Sequence, residues 1–114
     1  MSEFIHKVKK AGFDKISQVY AEIKKNYPGF RLNDDRFSEA GWEFMVKDKI
    51  DPALAIFRLG IELNPKYHWY FYGQGLCYQK KGKKAAAIKA FEKVLELNPR
   101  FDKAREKIKK LNLL

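Results

Sequence analysis

The chain has 114 residues and a mass of 13.4 kDa, with 46% hydrophobic and 33% charged residues. This composition is typical of one small globular domain and excludes a disordered chain, and no apolar run reaches the roughly 20 residues that span a bilayer. The net charge of +10 predicts acidic partners. No segment resembles a secretory signal, so a cytoplasmic setting is expected. The single cysteine, Cys77, excludes an internal disulfide and is expected to be a small core residue.

The N-terminal segment, residues 1–33, is predicted to form a helical hairpin. Residues 3–10 form its first short helix in this interpretation, and Ala11 and Gly12 form the turn. The second helix follows in "DKISQVYAEIKKNYP", which ends at a proline. Its apolar face comprises Ile16, Tyr20 and Ile23, at helical spacing.

The next 68 residues repeat with a period of 34, as units 34–67 and 68–101. Within each unit the apolar residues recur every three or four residues in two separate runs, and a proline follows the second run. Each unit is therefore predicted to be a hairpin of two helices. No gap is needed to align the units. The shift superimposes Phe37 on Phe71, Gly41 on Gly75, Phe44 on Tyr78, Lys49 on Lys83, Ala53 on Ala87, Phe57 on Phe91, and "ELNP" on a second "ELNP".

The ends of these helices carry recognisable signals. Asp51 is predicted to cap the second helix of the first unit, with Pro52 at the first helical position. Gly82 is predicted to end the first helix of the second unit in a left-handed conformation. Small residues are expected where the two helices of a hairpin approach closely: Gly41, Gly75, Ala53 and Ala87.

The last segment, residues 102–114, is predicted to be a single capping helix that begins at Asp102. One stripe of this helix is apolar, and the other faces are basic, as is typical of a terminal helix that exposes its outer side to solvent. The apolar stripe comprises Phe101, Ala104, Ile108 and Leu111.

The repeated residues resemble the tetratricopeptide repeat, in which an aromatic, a glycine and an aromatic lie on the first helix and an alanine, an aromatic and a proline on the second. The resemblance covers residues 34–101 and implies an all-α array of antiparallel helical hairpins in a right-handed superhelix, with about six helices here. Gln74, Gly60 and Val94 depart from the pattern. Such arrays are expected to bind proteins or peptides as scaffolds or adaptors.

A weaker resemblance concerns the first unit alone. The stretch "RLNDDRFSEAGWEFMVKDKIDPALAIFRLGIELNP" is similar to repeat modules found C-terminal to serine hydrolases of the beta-lactamase type. This would make the chain an accessory domain. It implies no catalysis here, because the chain contains no Ser-x-x-Lys motif.

The aromatic stretch "YHWYFY" at residues 67–72 divides into three stripes on a helix. Phe71 packs on its own hairpin, and Tyr70 and Cys77 face the preceding unit. The third stripe, by the resemblance, lines the concave groove, which then has an aromatic half beside a basic half. The predicted ligand-binding residues are Trp42, Met45, Trp69, Tyr72 and Leu76 as apolar anchors, with Lys80, Lys103, Lys107 and Lys110 as the basic side.

Two alternatives remain for this groove. The aromatic residues could instead pack on the final helix or on the N-terminal segment. Some members of the family clamp a peptide's terminal carboxylate, but only Lys103 and Lys107 fit that pattern. Ser38, Trp42 and Gly73 stand where the clamp needs Lys or Asn, which argues against it.

The expected partner is therefore a protein or peptide, acidic and with an apolar anchor. Nucleic-acid binding through the lysines near residue 80 and self-association are the alternatives, and no membrane contact is expected. No enzymatic activity, cofactor or metal is expected. His6 and His68 lack a metal-binding spacing, and Gly73-Gln74-Gly75 lacks the third glycine of a dinucleotide site.

Overall fold

The computed structural model describes residues 2–114, which form seven α-helices and one short 3₁₀ helix at Phe13–Lys15. Three antiparallel hairpins follow one another along the chain, and a single helix closes the array, close to the expected number of about six helices. The helices are α1 (Ser2–Ala11), α2 (Ile16–Asn26), α3 (Asp34–Val46), α4 (Ile50–Leu63), α5 (His68–Lys80), α6 (Lys84–Leu97) and α7 (Asp102–Asn112). The all-α repeat architecture predicted from the sequence is confirmed.

The N-terminal hairpin is attached to the repeats through Phe4. This side chain is 1% exposed, and its ring centroid lies 6.2 Å from Tyr20, 6.1 Å from Phe30 and 5.9 Å from Phe37. Phe30 lies in the linker between α2 and α3, so the linker also contributes to this core. Aromatic packing of this kind stabilises beyond the area that it buries.

The turns inside the two repeat units have the same backbone geometry. Gly82 has φ of +73°, and Asp48, which lies 34 positions earlier, has φ of +63°. The prediction of a left-handed residue at Gly82 is confirmed, and Asp48 shows that a short polar side chain meets the same requirement in the first unit.

Two helix caps differ from the prediction. Helix α4 begins at Ile50 with Lys49 at the N-cap, so Asp51 lies in the first turn, where its carboxylate pairs with Lys81 at 2.6 Å. Helix α7 has Phe101 at its N-cap, and Asp102 pairs with Arg105 instead of capping. In both places a lysine or arginine within reach offers the carboxylate a charged partner.

The close approach of helices at glycine is confirmed. A Cβ added to Gly41 would lie 2.6 Å from the Phe57 ring, and one added to Gly75 would lie 2.5 Å from the Phe91 ring. Phe57 also presses on Gly73 of the next unit, so this ring is held between α3 and α5. The departure at Gly60 has the same cause, because the Tyr70 ring occupies the space that an alanine Cβ would need.

The hydrophobic core runs along the whole array. One cluster joins α1 to α4 with Tyr70 and Cys77, and a second joins α5, α6 and α7. Trp42, Leu76 and Tyr78 pack against both clusters. Between residues 2 and 114, none of the helices has the length and apolar character needed to cross a bilayer.

Candidate functional site

Four aromatic side chains form a continuous row from α3 to the start of α7, which we call the aromatic row: Trp42, Tyr72, Trp69 and Phe101. Tyr72 lies at its centre, with ring centroids 6.2 Å from Trp42, 5.9 Å from Trp69 and 5.1 Å from Phe101. Trp69 also contacts Phe101 directly, edge to face, at 5.1 Å. The row thus connects α3, α5 and the start of α7, which belong to successive units of the array.

The predicted apolar anchors are not equally accessible. Trp42, Trp69 and Leu76 are half-buried, so each presents part of its side chain. Tyr72 is 5% exposed and Met45 is 3% exposed. These two side chains are core residues in this structure, which corrects their expected role as surface anchors. Tyr72 instead contacts the rings of Trp42, Trp69 and Phe101 from the core.

Burial explains the electrostatics at the centre of the row. It raises the pKa of Tyr72, and the carboxylate of Glu106 on α7 adds to the shift. The pKa of His68 is lowered, again because of burial, and its ring lies 5.2 Å from Phe101. Both groups are therefore uncharged near neutral pH, and the row is an apolar surface.

The predicted basic side lies on α7 and at the end of α5. Lys80, Lys103 and Lys110 are exposed, and Lys107 is half-buried. Within residues 2–114, ion pairs join Lys81 to Asp51, Lys93 to Glu96 and Arg105 to Asp102, so these four lysines make none. Their charges are available to a ligand, although Glu106 lies on the same helix.

Phe101 is a member of the row that the sequence analysis did not assign to the site. It was predicted only as part of the apolar stripe of the final helix, whereas it lies at the N-cap of α7 and closes the row. The 34-residue repeat could have indicated the position of Phe101, since Tyr67 lies 34 positions earlier and is the N-cap of α5. Phe101 packs against His68, Trp69 and Tyr72 on α5, the first helix of the preceding unit.

The start of α5 is fixed by carboxylates on α3. Asp34 accepts hydrogen bonds from the Tyr70 hydroxyl at 2.6 Å and from the Asn64 side chain at 2.7 Å, and Asp35 accepts one from the Tyr67 hydroxyl. Burial and these carboxylates raise the pKa of both tyrosines. The N-cap of α3 is Asn33, whose side chain accepts a hydrogen bond from the Arg36 backbone N–H at 3.0 Å.

A cleft beside α1 was not anticipated from the sequence. An open cleft of about 960 Å³ lies between α1 and α3. Its floor is apolar at Ile5, Ala40 and Phe44, and charges of both signs surround it. The charged lining includes Lys9, Arg36, Glu39, Glu43 and Lys47. Within the described residues no group of three metal-binding side chains comes together, in this cleft or elsewhere.

Comparisons with known proteins identify the repeat. The model of the tetratricopeptide repeat family matches residues 68–101. The Cell division cycle protein 27 homolog of Caenorhabditis elegans is 34% identical over 70 residues, which are 58% of this chain and 9% of that protein. The chloroplastic protein PYG7 of Arabidopsis thaliana, described as a tetratricopeptide repeat domain-containing protein, is 32% identical over 69 residues, 60% of this chain and 23% of its own length. The chain thus spans less than a quarter of these relatives.

Solved structures share the fold over almost the whole chain. The first tetratricopeptide repeat domain of Spaghetti (RPAP3), bound to the HSP90 peptide SRMEEVD, has a TM-score of 0.68 at 20% identity and covers 98% of this chain and 86% of its own. A point mutant of MamA has a TM-score of 0.69 at 21% identity, with 96% and 78% covered. Residues 68–101 thus match the tetratricopeptide repeat family, as the repeat predicted, and almost the whole chain shares the fold of the solved structures. This repeat supports a general role in protein interaction. The resemblance to modules that accompany serine hydrolases stays a prediction.

Proposed function

We propose that this chain is a non-catalytic binding module that holds a peptide segment of a partner protein along the aromatic row. The observation that carries the proposal is that this apolar row ends at the start of α7, the helix that bears Lys103 and Lys107, which make no ion pair within the described chain. The ligand would place an apolar side chain against Trp69 and Trp42 and acidic side chains near Lys103 and Lys107.

The aromatic residues favour a ligand with an apolar anchor. Tryptophan and tyrosine dominate the energetics of protein interfaces because they bury large areas and lose little side-chain entropy. Here Trp42 and Trp69 are half-buried, and the buried Tyr72 holds both rings in place. A preorganised surface of this kind reduces the entropic cost of binding.

The lysines favour a ligand with acidic side chains. The net charge of +10 raises the local concentration of acidic segments and speeds their association. In the RPAP3 structure the fold holds a peptide, SRMEEVD, that contains three acidic residues. Ser38 is 5% exposed and Gly73 is buried against Phe57, so this chain would not use the terminal-carboxylate clamp at those positions.

The proposal is tested by selecting binders from a random peptide library. Selected peptides are expected to combine one large apolar residue with two or more Asp or Glu residues. Binding can be followed directly, because Trp42 and Trp69 are the two tryptophans of the chain and both lie in the aromatic row. We expect the fluorescence emission of both tryptophans to change on binding. The variants Trp42→Phe and Trp69→Phe show the contribution of each.

Charge-reversal variants provide the matched control. Lys103→Glu with Lys107→Glu should weaken binding of a selected peptide by about tenfold or more, equivalent to about 1.4 kcal/mol or more. Lys66→Glu with Lys89→Glu changes the net charge equally, on exposed residues outside the predicted site. Equal loss in both pairs would mean that only net charge matters. Selected peptides without acidic residues, or an unchanged tryptophan emission, would contradict the proposal.

A further inference from the structure

The turns that join the two helices of each hairpin lie side by side along one edge of the array. Asp51 in the second turn pairs with Lys81 in the third at 2.6 Å. A small cavity of about 260 Å³ is lined by residues of all three turns, including Asp14, Pro52 and Lys83. Three successive turns are therefore neighbours in space, and they form one continuous surface.

The end of α7 lies on this same edge. Trp69 and Phe101 are in contact, so the starts of α5 and α7 are neighbours. Both helices pack antiparallel to α6, and their C-terminal ends therefore reach the same side of the array. We call the resulting surface the basic edge. It comprises residues 9–15, 47–51, 80–84 and 109–114.

The basic edge holds most of the net charge of the protein. It contains eleven lysines and three aspartates, a net charge of +8 out of the +10 of the whole chain. All eleven lysines are exposed. In the part of the chain that the structure describes, Lys81 alone among them forms an ion pair. Repulsion between so many like charges disfavours their grouping.

Helix stability does not account for this arrangement. Lys15, Lys49 and Lys83 are the N-cap residues of α2, α4 and α6, and none of them makes a side-chain capping hydrogen bond. The N-terminus of a helix carries a partial positive charge and is stabilised by Asp, Asn, Ser or Thr, and by anions. A lysine at the same position of all three hairpins therefore occupies an electrostatically unfavourable place.

We propose that the basic edge docks on the surface of a membrane that contains acidic phospholipids. Lysine clusters of this size are attracted to acidic lipid headgroups. Exposed aliphatic side chains accompany the lysines: Leu113 is 80% exposed and Leu114 is 88% exposed on the edge, and Val46, 73% exposed, directly precedes its second segment. Such side chains can enter the headgroup region while the lysines remain at the surface.

A lipid surface fits the edge better than a nucleic acid does. The four segments of the edge contain no arginine, and their one aromatic side chain, Phe13, is half-buried and packed on Phe44 at 5.0 Å. Arg58 and Tyr78, which line the cavity between the turns, are hydrogen-bonded to each other at 3.3 Å. The edge thus lacks the exposed aromatic residues on which single-stranded bases stack. The sequence predicted no membrane partner, because a basic final helix by itself is typical of a capping helix. The alignment of the three turns with it becomes visible only in the fold.

The experiment measures cosedimentation of the whole chain with vesicles of phosphatidylcholine alone and of phosphatidylcholine with phosphatidylserine at about 3:1. Binding is expected only to the acidic vesicles. The variant Lys49→Glu, Lys83→Glu, Lys84→Glu should lower it by at least about tenfold, and its new carboxylates suit helix N-termini, so the fold should be retained. The control Lys25→Glu, Lys66→Glu, Lys89→Glu makes the same charge change on exposed residues away from the edge.

The outcomes separate the possible partners. Retention of acidic-vesicle binding by the control and its loss in the edge variant would support the proposal. Equal loss in both variants, equal binding to neutral vesicles, or no binding to either would overturn it. A duplex DNA or single-stranded RNA that competes fully with the vesicles and binds more tightly, with the same dependence on the edge lysines, would make nucleic acid the partner and would also overturn it. Lys80 and Lys110 belong both to the edge and to the predicted peptide site, but none of the three substituted lysines does, so the two proposals can fail separately.

Discussion

Helices α3 and α5 occupy equivalent places in the repeat, yet they meet the preceding hairpin in different ways. On α5, Tyr70 is 1% exposed and Cys77 is 0% exposed, packed against the first unit. The positions 34 residues earlier on α3 hold Arg36 and Glu43, which line the open cleft beside α1. One interface is closed and buried, and the other is open and lined by charged side chains.

The comparison shows that the repeat pattern determines the hairpin but not the contact between hairpins. Residues that fit the family pattern, such as Gly75 and Phe91, pack inside one unit, and Phe57 contacts Gly73 of the next unit as well as Gly41 of its own. The residues that close or open the next interface lie at positions that the pattern leaves free. The linkers before the two helices also differ in length, since residues 27–33 separate α2 from α3 and only residues 64–67 separate α4 from α5.

The largest expected difference between the two interfaces is in thiol reactivity. Burial raises the pKa of Cys77 to about 12, and nearby lysines oppose the shift. The thiol is therefore both shielded from reagents and protonated near neutral pH. We expect Cys77 to react with a disulfide reagent at least about a thousandfold more slowly than a cysteine placed by Glu43→Cys in a Cys77→Ala background. Similar rates at both sites would show that the α4–α5 interface opens readily.

The next largest difference is expected in the free energy of unfolding when the equivalent residues Tyr70 and Arg36 are each truncated to alanine. Tyr70→Ala should lower the free energy of unfolding by about 3–5 kcal/mol, because it leaves a cavity beside Gly60 and removes a hydrogen bond to Asp34. Arg36→Ala should change it by about 0.5 kcal/mol or less, since that side chain is exposed. Urea denaturation measures both. Comparable losses would mean that the two interfaces are equally well packed.

A glycine substitution tests the close approach at the closed interface. Gly73→Ala should cost about 1–3 kcal/mol, because its Cβ would collide with the Phe57 ring. Gly29→Ala is the control, as nothing lies within 4 Å of a Cβ at that position, and a change of about 0.5 kcal/mol or less is expected. A neutral Gly73→Ala would show that Phe57 has room to move.

The smallest effect concerns pH. The folded state raises the pKa of Tyr70 through burial and the Asp34 carboxylate, so this tyrosine contributes its full stability below its unfolded pKa of about 10. The contribution is lost as pH rises above that value, because the unfolded chain then releases the proton first. Tyr70→Phe should reduce the fall in stability at alkaline pH. The control Tyr27→Phe, at a side chain that is 67% exposed, should leave it unchanged.

Much of this fold could be predicted from the sequence because the repeat aligns without a gap. The left-handed turn at Gly82, the close contacts at Gly41 and Gly75, and the burial of Tyr70 and Cys77 all follow from helical spacing and residue size. The caps at Asp51 and Asp102 were predicted wrongly. Local preference favours a carboxylate at the N-cap, but partners across a turn or along the helix were available to both.

Less of the candidate site could be predicted from the sequence. Periodicity predicts on which face of a helix a residue lies, but it does not predict which other parts of the chain cover that face. Tyr72 lies on the expected stripe, yet Trp42, Trp69, Phe91 and Phe101 surround it. The cleft beside α1 depends on how two hairpins are oriented, and no local signal in either hairpin encodes that angle. The basic edge similarly combines four segments that are distant in the sequence.

The most direct test of the central claim is an NMR titration of the isotopically labelled chain with a peptide selected from the random library. The account predicts that the amide shifts concentrate on α5 and α7, at Trp69, Leu76 and Lys107, while residues of the open cleft such as Arg36 and Glu43 remain unchanged. Shifts confined to that cleft, or to the basic edge, would contradict the assignment of ligand binding to the aromatic row.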